Sequence, residues 1–169
     1  MNPPQFGYRA AVEDDAAEMI DVHYAAVHAV GTEYYSAAVL LAWSPPPDEG
    51  RRQWLANLIA QDSTRCTIAV SEQNKIMGFC IALPAQAQLK PLYVHPDFTQ
   101  QGVGHGLLQN IEPQCRRCGL EALELNASYN AERFYQRGGY RAVGPVDQAL
   151  ANGSTMGSIH MVKHLSPHT

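Results

Sequence analysis

The sequence predicts one α/β domain, a sheet with helices packed against it. Three observations carry that expectation. Helical apolar spacing dominates residues 12–60, the stretch 66–83 reads as a β-hairpin, and beyond residue 88 short strands alternate with helices. A chain of 169 residues is long enough for one real core and short for two.

Taken in order, Tyr8 to Ala11 reads as a first strand. The acidic run Glu13-Asp14-Asp15 then offers an N-cap for a helix to about Val30, with Ile20, Val27 and Val30 as its apolar stripe. Gly31 breaks it. Ser36 caps a short helix through Trp43, which Pro45-Pro46-Pro47 ends, because proline cannot continue a helix. Asp48 to Ala60 is a third helix, with Trp54, Leu55 and Leu58 as the expected buried face. Cys66–Val70 and Lys75–Leu83 form the hairpin around the turn cluster Ser71-Glu72-Gln73-Asn74. Gln88–Val94 is the next strand. Pro91 inside it lacks a ladder donor, so a bulge or a splayed stretch is expected there. Gly104–Arg117 is a helix, Leu120–Asn126 a strand, Asn130–Arg137 a helix, Tyr140–Val143 a strand and Ser158–His164 the last strand.

Composition narrows the function classes. Hydrophobic residues at 46% and charged residues at 17% describe a globular, soluble chain. A net charge of −4 argues against a broad nucleic-acid surface and favours cationic ligands. Met1-Asn2-Pro3-Pro4 has neither a basic n-region nor an apolar h-region, and runs such as Ala37–Trp43 are too short to span a bilayer. The expectation is a cytoplasmic protein with no membrane partner. Cys66, Cys80, Cys115 and Cys118 fit free thiols in a reducing compartment. The lone Cys115-Arg-Arg-Cys118 has no second ligand pair at zinc spacing and reads as helix-packing thiols. His160, His164 and His168 recur without a carboxylate or cysteine, so no metal site is expected.

The informative stretch is Leu92-Tyr-Val-His-Pro-Asp-Phe-Thr-Gln-Gln-Gly-Val-Gly-His-Gly-Leu-Leu108. A strand ends, a loop with alternate glycines follows, and a helix begins. Such a loop turns several backbone N–H groups toward one point, and the positive helix end adds to them: an anion site. Gly102 and Gly104 can adopt positive φ and let a ligand approach the backbone closely, and Gly106 allows the first turn to pack tightly. The spacing is neither a dinucleotide fingerprint nor a P-loop.

This run resembles motif A of the GNAT superfamily of N-acetyltransferases, whose R/Q-x-x-G-x-G/A loop binds the CoA pyrophosphate. Gly102 and Gly104 match its small positions, and Thr99 stands where Arg or Gln is usual. A second run, Asn130-Ala-Glu-Arg-Phe-Tyr135-Gln-Arg-Gly-Gly-Tyr140, resembles the family's motif B. The resemblance covers about Tyr8 to Leu165. It implies a mixed sheet of six to seven strands in a single domain, with strands four and five splayed to admit the pantetheine arm. It also implies acetyl-CoA as acyl donor, an amine acceptor, direct attack in a ternary complex, and allows a homodimer.

Residue by residue, the resemblance places CoA on Leu92, Tyr93, Val94, Thr99, Gln100, Gln101, Gly102, Val103, Gly104, His105, Gly106, Asn130 and Tyr135. Tyr135 matches the tyrosine that protonates the leaving thiolate; a phenol near 10 is close enough to a thiol near 8.5 for that transfer. Asn130 either binds CoA or caps its helix. Many members carry a glutamate on strand four, which Gln86-Ala-Gln-Leu-Lys-Pro-Leu-Tyr93 lacks. The base candidates are therefore His28, Glu33 and His95, or water. His23 and His28 are expected to help wall the acceptor pocket, with Tyr34, Tyr35 and Trp43 lining it or anchoring the helical layer. The competing reading is a GNAT-like module that holds acyl-CoA without turnover.

Overall fold

The structure, a computed structural model, describes residues 5–166. The opening Met1–Pro4, on which the leader reading rests, and His168 lie outside the described residues. Seven strands form one mixed sheet in the order β1-β2-β3-β4-β5-β7-β6. They are β1 (Phe6–Ala10), β2 (Arg65–Ser71), β3 (Ile76–Leu83), β4 (Gln88–Val94), β5 (Ala122–Ala127), β6 (Arg141–Ala149) and β7 (Thr155–His164). The helices are α1 (Ala16–His28), α2 (Ala37–Trp43), α3 (Glu49–Ile59), α4 (Val103–Arg117) and α5 (Glu132–Arg137).

The expected caps form. Ser36 Oγ accepts from the Val39 amide at 3.2 Å, and Asp48 Oδ1 accepts from the Arg51 amide at 2.8 Å. Each satisfies a donor that the first helical turn leaves open. The acidic run differs in detail: Glu13–Asp15 is a 3-10 turn, and α1 starts behind it. Trp54 is not buried; it is 60% exposed, while Leu55 is at 2%. Adjacent helical positions lie about 100° apart, so only one of the two can point straight at the sheet.

The last two strands run well beyond the predicted stretches. They form a hairpin with Ala149 opposite Thr155. Gly144 and Pro145 hide this from propensity, but β6 is an edge strand, where a missing ladder donor costs nothing.

Helices cover both faces. On one, Met19, Ile20 and Val22 of α1 and Leu55 of α3 pack on Ile68, Ile76, Phe79 and Ile81. On the other, Leu107, Leu108, Ile111 and Cys115 of α4 pack on Met77, Cys80, Ala82 and Leu89. Cys115 is thus the packing thiol expected of the CxxC pair, whereas Cys118 is exposed at the end of α4. All four cysteines are free, and no described helix is long and apolar enough to cross a membrane.

The site is set by β4. All neighbouring pairs are antiparallel except β4 and β5, which run parallel and are paired only at Gln88 and Glu124. Beyond that point the strands part, as the resemblance implies. Against β3, Phe79 faces Tyr93 and Ile81 faces Lys90, so Cys80 stands opposite two residues, Pro91 and Leu92. This is the bulge expected at Pro91.

Candidate active site

The gap between β4 and β5 opens into a crevice of about 360 Å³. Leu92, Tyr93, Val94, Thr99, Asn130, Tyr135 and Trp43 line it, bringing seven of the predicted site residues together. The His95 amide bonds Met77 O at 2.8 Å on the β3 side. Strand alternation therefore turns the Leu92 and Val94 amides the other way, into the gap. The Leu92 amide donates to Tyr135 Oη at 2.9 Å. Tyr135 is almost fully buried, and burial pushes its phenol well above the usual value. Because the oxygen accepts from Leu92, the phenol's own hydrogen is available elsewhere, and it meets no acceptor among the described residues.

Behind the crevice lies the glycine loop. Positive φ falls on Gln100 (61°) and Gly102 (81°), whereas Gly104 is helical. Its missing Cβ serves packing instead: one added there would stand 3.0 Å from the Phe134 ring. Gly106 gives the first intrahelical bond, from its amide to Gly102 O at 3.0 Å. The amides of Val103, Gly104 and His105 precede that bond and project from the helix end beside exposed Gln101, with the helix dipole behind them. Tyr8 packs against Gly106 and donates to Val103 O at 3.2 Å, pinning this turn to β1.

A second cavity, about 600 Å³, sits on the α1/α3 side of β4 and shares Trp43, Pro91 and Tyr93 with the crevice. Trp43 Nε1 donates to Tyr93 Oη at 3.2 Å, so this pair forms the partition. Burial pushes the Tyr93 phenol up to about 12. His23 lines the second cavity with its ring 4.3 Å from that of Tyr93. Arg51 Nη2 meets His23 Nδ1 at 3.2 Å, and a guanidinium only donates, so Nδ1 is the acceptor and Nε2 carries the proton. Ser44 Oγ, 2.8 Å from the same nitrogen, completes the clamp. Burial first, then the charge of Arg51, pulls this histidine down to about 3. Its lone pair is engaged, which suits a wall and not a base.

The other predicted residues lie apart. His28 gives its Nε2 proton to Ser44 O at 2.8 Å, and neither it nor exposed Glu33 lines either cavity. His95 Nδ1 accepts from the Asp97 amide, a turn cap. Tyr34 is exposed outside both cavities. Tyr35 anchors the helical layer: its hydroxyl donates to Gly157 O at 2.6 Å and accepts from the Tyr129 amide at 2.9 Å. Asn130 is exposed in the 3-10 turn before α5, whose start at Ala131 has no side-chain cap, so the capping alternative falls away. Sequence reasoning missed Arg51 and Lys90, both on the wall of the larger cavity. A lysine inside an otherwise apolar strand was the available signal.

Residues 48–164 match the profile of the acetyltransferase (GNAT) domain. The chain belongs to the GNAT family. Its fold is shared with a GCN5-related N-acetyltransferase from Rhodopseudomonas palustris, at 27% identity, TM-score 0.83 and 98% coverage of both chains. PaiA N-acetyltransferase from Thermoplasma acidophilum, in complex with coenzyme A, superimposes with TM-score 0.76 at 18% identity, covering 95% of this chain and 99% of that one. An aminoglycoside 6'-N-acetyltransferase complexed with coenzyme A gives 0.68 at 16% identity, covering 96% and 99%. No curated protein matches the sequence at a significant level. In this GNAT chain, both the parted β4/β5 pair and the glycine loop lie within the matched residues 48–164.

Proposed function

We propose that this GNAT chain transfers the acetyl group of acetyl-CoA to a primary amine of a small molecule or peptide, by direct attack in a ternary complex. The observation that carries the reading is the meeting of two cavities at Trp43, Pro91 and Tyr93, with the Tyr135 hydroxyl on the wall of one. Similarity to two proteins that bind coenzyme A supports the donor.

In this reading the diphosphate lies on the amides of Gln101 to His105, where fixed dipoles replace its hydration. The pantetheine arm enters the crevice and takes the Val94 amide. The amine arrives from the larger cavity and attacks the thioester carbon, whose oxygen gains charge and is held by a β4 amide. The C–S bond then breaks, and the Tyr135 hydroxyl gives its proton to the departing thiolate. Since none of His28, Glu33 and His95 is placed as a base, the ammonium proton leaves through water in the acceptor cavity.

The test is thiol release from acetyl-CoA with a panel of amines, beside calorimetry of CoA binding. Release with at least one amine supports transfer. Binding with no release on any amine identifies a non-catalytic acyl-CoA module instead, and no binding removes both.

A further inference from the structure

The larger cavity carries a charge pattern opposite to that of the whole chain. Arg51 and Lys90 line it, and neither forms an ion pair among the described residues. Arg51 is half-buried and spends its donors on neutral groups: Pro45 O, Ser44 Oγ and His23 Nδ1. Lys90 has no hydrogen-bond partner among the described residues, and its register opposite Ile81 turns it toward the α1/α3 face. The one carboxylate on the wall, Asp48, is engaged by the Arg51 amide as the cap of α3. Two cations against one capped carboxylate leave the wall positive. Beside the neutral polar groups of His23, Tyr93 and Gln148, much of the remaining lining is apolar or aromatic, Ile20, Trp43, Trp54, Leu55, Phe79 and Ile81 among it. Trp54 stands 60% exposed on this wall, an apolar surface that the fold itself leaves uncovered.

An acceptor that satisfied both features would bring an anion to the cations and a hydrophobic body to the indoles, leaving its amine free to reach the partition at Pro91. We propose that the amine acceptor carries a carboxylate beside an apolar or aromatic body, the chemistry of an aromatic α-amino acid. This deepens the transferase reading by naming the substrate class of the same site. It also reverses the preference for cationic ligands that the net charge of −4 suggests, because a ligand feels the local wall more than the distant surface.

The chain has two tryptophans, and both line this cavity, so intrinsic fluorescence reports its occupancy without any turnover. The probes are N-acetyl-L-phenylalanine and N-acetylphenethylamine, which differ only by the carboxylate. The acid should change the emission saturably and bind about tenfold more tightly than the neutral amide. Lys90→Met should erase that difference, and Lys90→Arg should keep most of it. Equal affinities, tighter binding of the neutral probe, or no response to either overturns the proposal. In the thiol-release assay, L-phenylalanine should exceed phenethylamine and spermidine in kcat/KM. If phenethylamine or spermidine is acetylated and the amino acid is not, the substrate class is wrong and the transferase reading stands. If the acid probe binds but no amine releases thiol, the transferase reading fails and the anion site stands.

Discussion

The Leu92 amide and the Tyr135 hydroxyl, 43 positions apart in sequence, are joined by a 2.9 Å hydrogen bond across the parted strands. The bond orients the phenol. Its oxygen is held by a backbone donor of β4, and its own hydrogen meets no acceptor among the described residues. Burial keeps the phenol protonated well above the ordinary tyrosine value, so it is a loaded donor throughout the neutral range.

Tyr135→Phe should therefore cut thiol release by about 10²-fold or more, the usual worth of a positioned general acid, while CoA affinity by calorimetry changes little. Wild-type turnover should show no alkaline loss from Tyr135 up to its ordinary value, about 10, because its folded-state value is raised above that. Unchanged turnover in the Phe variant would remove Tyr135 from the proton transfer.

The glycines of the loop should separate by role. Gly102→Ala places a Cβ at φ +81°, which costs ~1 kcal/mol and twists the amides that follow, so acetyl-CoA affinity should drop about fivefold. Gly104→Ala instead crowds the Phe134 ring at 3.0 Å and should mainly lower unfolding stability, by ~1 kcal/mol. Calorimetry and urea unfolding on both variants check the split; equal affinity losses in the two would contradict it.

How far the sequence reached follows from the range of each interaction. The caps at Ser36 and Asp48, the bulge at Pro91 and the loop at Gly102 are local events, decided by a few adjacent residues, and they were legible. The grouping of Leu92, Asn130 and Tyr135 came through resemblance to a family, not through periodicity. What stayed hidden depends on tertiary neighbours. Trp54 and Leu55 look alike in a propensity count, and only the packing of α3 against α1 and the sheet decides which is covered. Arg51 and Lys90 belong to different elements, 39 positions apart, and no local signal says that they face one cavity. The place of His23 on the cavity wall agrees with the expectation for the opening helix, but the Arg51 and Ser44 contacts that engage its lone pair come from elements that no local signal joins to it.

A second buried polar group ties the motif-B region to α4. Glu112 accepts from Lys163 Nζ at 2.8 Å and from Tyr140 Oη at 3.0 Å, and Lys163 also reaches Gly138 O at 2.7 Å. The Glu112 side chain is 9% exposed and that of Lys163 26%. Lys163→Met should cost about 3 kcal/mol in urea unfolding, because it strands a buried carboxylate. The double variant Glu112→Leu with Lys163→Met should recover most of that loss. A single variant as stable as wild type would mean that the pair is solvated and contributes little.

His23 should make the fold acid-sensitive in a defined window. Facing it are the guanidinium of Arg51, the Ser44 hydroxyl, the His28 ring and the Tyr93 ring; no carboxylate is among them, and burial and the Arg51 charge oppose an imidazolium. Its value is pulled down to about 3 in the folded state, against about 6.5 when unfolded. Between those values the unfolded chain binds a proton that the folded chain refuses, so stability is full above about pH 6.5 and falls as pH drops. The slope approaches 1.36 kcal/mol per pH unit, and the loss reaches about 2 kcal/mol at pH 5 relative to mildly alkaline pH. Asp15, held below the ordinary carboxylate range by Arg9, adds its own acid loss only at lower pH. Urea midpoints across this window should therefore fall in the wild type and stay nearly level in His23→Gln, whose amide oxygen can still accept from Arg51. Parallel decline in both proteins would place the acid sensitivity elsewhere and show that the imidazole takes up its proton without unfolding the chain.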